Sequence, residues 1–147
     1  MRRGPAGWSE RGSMTVEVAF LLVLLVVPLF YLVATLGRVQ AGAYAVSAAS
    51  REAGRAFVTA TDPASAQVRA RAAADLVLDA HGFGPGDGTF ELACSADCLA
   101  PGSQVAVEAR VEVPLPLVPD FMRGRVPSSI GLSAEHLETV DEFRPAG

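Results

Sequence analysis

Arg11-Gly12-Ser13-Met14-Thr15-Val16-Glu17, followed by the twenty uncharged residues Val18 to Gly37, decides the architecture of this chain. As a helix, Val18 to Gly37 extends ~30 Å at ~1.5 Å per residue, enough to cross the hydrocarbon core of a bilayer. The run is rich in Leu and Val and lacks Asn, Gln, Asp and Lys. What remains polar is mostly backbone, which a helix satisfies internally. Pro28, in the middle, removes one backbone donor and is expected to kink the helix, a cost that membrane helices tolerate better than soluble ones. A secretory signal has an apolar core of only ~7–15 residues, so this run reads first as a span that stays with the protein. Before it, in order, stand a basic leader, a glycine and a carboxylate five residues after the glycine.

Working outward, the 147 residues leave room for one membrane helix and one small domain. The formal charge is −4; taking away Met1 to Gly12 takes away three Arg and one Glu, leaving −6. An acidic chain without Lys or a basic patch argues against nucleic acid as a partner. Orientation does not follow from charge. Arg2, Arg3 and Arg11 precede the span, and Arg38, Arg51 and Arg55 follow it closely, which is a tie by the positive-inside count. A short leader is easily kept in the cytoplasm. The only cysteines, Cys94 and Cys98, lie in the C-terminal region, at a spacing that suits a small disulfide loop in an exported domain. These features point to a single-pass protein with its N-terminus in the cytoplasm and its C-terminal domain outside.

After the span, helical character continues. Val39, Ala43, Val46, Ser50, Ala53 and Phe57 recur at steps of four and three, a narrow seam of mostly small residues. Small residues let helices approach closely, so the seam reads equally as an assembly face or as the inner face of a domain. Arg51 and Arg55 fall at the edge of its exposed side. Asp62-Pro63 reads as an N-cap with proline at the first helical position. The second helix then covers about Pro63 to His81, with Val68, Ala72, Leu76 and Ala80 on one stripe and Gly82 as its stop. The glycine-rich Gly82 to Gly88 follows a helix and precedes a strand, the reverse of a phosphate-cradling loop, and reads as a turn.

Three strands are expected beyond it. Thr89 to Cys94 places Phe90, Leu92 and Cys94 on one face. Gln104 to Val113 alternates cleanly, with Val105, Val107, Ala109, Val111 and Val113 against Gln104, Ala106, Glu108, Arg110 and Glu112, as in an antiparallel sheet covered on one side. Leu117 to Met122 reads as a proline-flanked connection, and Ile130 to Val140 as a third strand with weaker alternation. The resulting fold class is α+β: a transmembrane helix continuing into a long helix, a second helix, and a small antiparallel sheet packed against that second helix. Segments 1–12, 13–60 and 61–147 are leader, membrane and assembly helix, and extracytoplasmic domain.

Nothing in the sequence supports catalysis or a cofactor. His81 and His136 are the only histidines; with Cys94 and Cys98 they make no recognisable zinc spacing. His81 reads as a helix-end residue and His136 as a solvent-facing strand residue. There is no nucleophile elbow and no metal-binding helix motif. Trp8 falls in the leader.

Gly12-Ser13-Met14-Thr15-Val16-Glu17 resembles the processing site of type IV prepilins. Val18-Ala19-Phe20, the Leu/Val run with Pro28, and Ser50-Arg51-Glu52-Ala53-Gly54-Arg55 resemble the TadE/TadG-like pseudopilins of tight-adherence (Flp) pilus systems. The likeness covers about Gly12 to Phe57, with a looser one over Val105 to Pro116 and Ile130 to Val140. It implies that a prepilin peptidase cuts between Gly12 and Ser13, and that Glu17 pairs with the freed Ser13 amine of its own or a neighbouring subunit. It also implies that the partners are other pilin subunits, the pilus assembly machinery and the lipid bilayer. Flp major pilins resemble one another in a Glu-Tyr pair and are very short; Glu17-Val18 and the long C-terminal region imply a minor component instead. Taken alone, Glu17 also fits the water-side end of a helix, where a carboxylate suits the positive dipole.

Two other readings stand beside this one. The first is an uncleaved anchor presenting a small disulfide-stabilised binding domain. The second is a secreted domain released after Ala41-Gly42-Ala43, which fits an A-x-A pattern but lies seven residues past Leu36.

Overall fold

The computed structural model describes residues 11–84, 86–95, 97–115, 124, 125 and 127–143, with side chains from Met14 onward. Two helices, α1 (Arg11–Val58) and α2 (Pro63–Ala80), precede three strands, β1 (Gly88–Cys94), β2 (Gln104–Pro114) and β3 (Ser129–Thr139). The fold is α+β, as expected. The chain divides into two compact units, Met1–Leu36 and Gly37–Gly147.

In the first unit the large apolar side chains from Met14 to Leu36 are almost all exposed. A helix apolar on every side is compatible with a membrane span, where no face need be solvated by water. Among the described residues α1 is the one helix long and apolar enough to cross a membrane. It runs through Pro28 without losing its helical assignment. The Thr35 hydroxyl donates to the Tyr31 carbonyl at 2.8 Å, which satisfies it without a partner from outside the helix.

The second unit is a two-layer sandwich of helix on sheet. The sheet is antiparallel with order β1-β2-β3. Val105, Val107, Ala109, Val111 and Val113 of the central strand are buried on one face, and the intervening Gln104, Arg110 and Glu112 are exposed. That alternation is what one-sided cover demands. Strand bounds match the expected ones to within a residue, whereas the expected connection Leu117 to Met122 lies outside the described residues.

Both helices supply the cover, the second as expected and α1 through the seam that the sequence left open between an assembly face and an inner one. The later turns of α1 bury Gly42, Ala45, Val46, Ala49, Ser50, Ala53, Gly54 and Phe57. A Cβ on Gly42 would meet Val113 Cγ2 and Leu132 Cδ1, and one on Gly54 would meet Glu138 Cβ and Val107 Cγ2. The helix therefore lies along β2 and β3, antiparallel to the first and parallel to the second. The seam of small residues is thus an inner face. Val46, Ser50, Ala53 and Phe57 are buried in it, Val39 is half-buried, and Ala43 faces outward. Buried Ser50 donates its hydroxyl to Ser47 O at 3.2 Å, so it leaves no unsatisfied group in the core.

Helix α2 starts as its sequence demands. Asp62 has extended backbone, its Oδ1 accepts from the amides of Ala64 and Ser65 (3.1 and 3.0 Å), and Pro63 follows at the first helical position. It ends at His81, and Gly82 takes a φ of 81°, open to glycine without strain. Its buried stripe, however, is Ala66, Ala70, Ala74 and Leu78. The expected stripe of Val68, Ala72, Leu76 and Ala80 faces solvent. Close packing explains the inversion. Gly88 of β1 lies so near Leu78 that a Cβ there would be 2.7 Å from Leu78 Cδ1. Larger residues than alanine in the preceding turns would hold the helix off the sheet. The core is accordingly built mainly from Ala and Val, with Phe57, Leu78 and Phe83 as its bulk.

Candidate functional site

The residues expected to carry function fall in two places, the head of α1 and the loop after β1. Gly12 and Ser13 lie in the first turn of α1, and Glu17 lies one turn beyond Ser13. Residues four apart share a helix face, so Ser13 and Glu17 lie on the same side of α1. Glu17 is exposed and is the one charged residue between Met14 and Gly37. In lipid such a carboxylate calls for a cationic partner, because an unpaired charge there is costly.

Cys94, the last residue of β1, is joined to Cys98 by a disulfide, with a Cα–Cα distance of 5.2 Å. The loop it closes is tied down on every side. Ser95 N donates to Gln104 O at 3.1 Å, and the Ser103 hydroxyl donates to Cys98 O at 3.3 Å. Gly102 N and Val140 N exchange bonds with Val140 O and Ser103 O at 3.1 and 2.9 Å. Cys94, Cys98 and Leu99 pack against the core. The bridge thus secures the end of the sheet where β1, β2 and the end of β3 converge. Small domains with thin cores use disulfides in this way.

With both sulfurs in the bridge, no thiolate is left to hold a metal, and among the described residues no group of His, Cys, Asp and Glu could do so. His81 Nδ1 lies 2.9 Å from Val77 O, a helix-end contact as expected. His136 departs from expectation: it is half-buried on the helix-covered face, with Nε2 3.0 Å from Glu138 Oε2 and its ring near Gly54. Weak alternation along β3 hid this, because Leu137 is the residue that faces out.

On the open face of the sheet, Glu91, Glu108 and Glu135 stand directly opposite one another across the three strands. Like charges in such a row repel. Arg110 counters this with two 2.7 Å bonds to Glu108, which hold that carboxyl below its ordinary range.

Sequence reasoning passed over Gly42 and Gly54 as seats for the sheet. The signal lay in Ala41-Gly42-Ala43 and Ala53-Gly54, two small-residue sites whose partners are far away in sequence. Compared with protein-family models, curated proteins and solved structures, the chain matches none.

Proposed function

We propose that this chain is a non-catalytic, minor pilin-like subunit, similar to the TadE/TadG-like pseudopilins, that acts in the assembly or structure of tight-adherence pili. The observation that carries the reading is the order along α1: Gly12, then Glu17, then an uncharged membrane-length stretch, then the helix of a packed domain. In this reading a prepilin peptidase removes residues 1–12 on the cytoplasmic side, while the uncharged helix holds the protein in the bilayer. The new Ser13 ammonium and Glu17 pair between neighbouring subunits. Their attraction is strong where the dielectric constant is low, and it fixes register more than it adds net stability.

The Cys94–Cys98 disulfide supports an exported second unit, since such bonds persist in oxidising compartments. Release after Ala43 fits poorly: it would detach Gly42 from its seat on Val113 and Leu132 and open the domain's own core. An uncleaved anchor remains the alternative that an intact leader would establish.

The test is Glu17→Ala expressed in the native host. Processing at Gly12 continues, the protein accumulates in the membrane, and it disappears from the fraction sheared off the cell surface. Normal surface incorporation with normal pili contradicts the proposal.

A further inference from the structure

The second unit carries a groove that is open among the described residues. Gln67, Val68 and Arg71 of α2 form one wall and Phe90 and Leu92 of β1 the other, around about 370 Å³. Val68 is 70% exposed, and one further exposed apolar residue, Leu76, continues the same side of α2. The groove exists because α2 turns its alanines to the sheet and its larger apolar residues outward, while β1 is an edge strand. At the opposite edge, just past β3, Phe143 is 92% exposed, an extreme value for phenylalanine. Its amide is held by Asp141 Oδ1 at 2.9 Å, and Asp141 and Glu142 are exposed beside it.

We infer that the α2–β1 groove is the seat for Asp141–Phe143 of a second copy of this chain. The two surfaces match in chemistry. An aromatic ring preceded by two carboxylates, Asp141 and Glu142, meets a mixed trough in which Val68, Phe90 and Leu92 stand beside Gln67 and the Arg71 guanidinium, whose planar fork suits carboxylates. Buried aromatic anchors with a charged rim are the usual core of a specific contact.

The two surfaces also lie on opposite edges of one sheet, so the contact is heterologous and leaves a free groove and a free knob on every pair. Contacts of that kind propagate as an open array unless they close into a ring. Phe90 and Leu92 are level with Ala134 and His136 of β3, whereas Asp141–Phe143 lies beyond Thr139. Seating one copy on the next therefore staggers neighbours along the strand direction, giving a rise as well as a turn. The array it builds rests on the pilin-like reading; the pair contact itself does not.

The experiment places p-benzoylphenylalanine in place of Phe143 in the full-length chain in native-host membranes. Irradiation gives a dimer whose junction maps to peptides spanning residues 67–92. Arg71→Glu lowers the yield about fivefold, in line with loss of a well-placed rim charge pair, and Glu142→Arg in the same chain restores it. No dimer, a junction elsewhere or on another protein, or a yield indifferent to Arg71→Glu overturns the contact. The mature N-terminus read from the same sample separates the two ideas. A Ser13 start without the dimer removes only the contact, and a Met1 start with the dimer removes only the pilin-type processing.

Discussion

Gly42 of α1 approaches Val113 of β2 so closely that a Cβ on the glycine would lie 2.7 Å from Val113 Cγ2. That contact, repeated six residues further along the strands by Gly54 on Val107 and Glu138, lets the helix sit directly on the sheet. Replacing Gly42 with Val drives its side chain into Val113 Cγ2, Leu132 Cδ1 and the Phe83 ring, so that the core side chains or the helix must shift. We expect Gly42→Val to destabilise the second unit by ~1–3 kcal/mol, the range for overpacking a close-packed site. Pulse proteolysis of the detergent-solubilised chain across a urea series would register the lowered midpoint.

Helix α2 offers a paired comparison. Ala74 is fully buried and Leu76 is 71% exposed, although hydrophobicity alone ranks them the other way. Ala74→Leu should cost ~1–3 kcal/mol by the same overpacking. Leu76→Lys, on the open side, should stay within about 0.5 kcal/mol. Urea midpoints of the two variants, measured side by side, decide which face of α2 is packed.

That inversion marks where sequence reading stopped. The β2 pattern was legible because a strand covered on one side must alternate with period two, and Val105 to Val113 does so without a break. The start of α2 was legible because Asp62 and Pro63 act locally. The buried face of α2 was not, since alanine wins there only through the distance between helix and sheet, a property of the assembled layers. His136 was misplaced for a related reason. On an edge strand, His136 and Glu138 can lie under the helix margin and still reach water, so polarity does not report which face they occupy. At the head of α1, the Gly12–Glu17 spacing was legible as a pattern, and the role proposed for it rests on a peptidase and neighbouring subunits that lie outside this chain.

The Cys94–Cys98 bridge closes a five-residue loop. Loop-closure entropy alone assigns such a short ring about 2 kcal/mol. Cys94→Ser with Cys98→Ser should lower the urea midpoint accordingly, with faster amide exchange first at Ser95, Gly102 and Val140, whose bonds tie the loop to the sheet. Equal exchange in the oxidised and bridge-free chains would show that the hydrogen bonds hold the loop unaided.

Asp62 gives a prediction in pH. Its carboxyl is held below the ordinary value of 3.8, chiefly by the Ser65 hydroxyl and then by the Ser65 amide. A depressed folded-state value means the cap contributes fully above the unfolded carboxylate range, and that contribution is lost as pH falls through the folded value. Exchange at the Ala64 and Ser65 amides, corrected for intrinsic rates, should therefore be protected at pH 6 and lose protection below the ordinary carboxylate range. In Asp62→Ala it should be unprotected at both.

In the function proposed above, residues 1–12 are a leader removed by a prepilin peptidase, leaving Ser13 as the new N-terminus four residues before Glu17. Intact mass and N-terminal sequencing of the membrane-bound protein from its native host test it directly. The expected chain starts at Ser13, and reverts to the full-length form when the host's prepilin peptidase is deleted. A chain that starts at Met1 in the presence of that peptidase contradicts it.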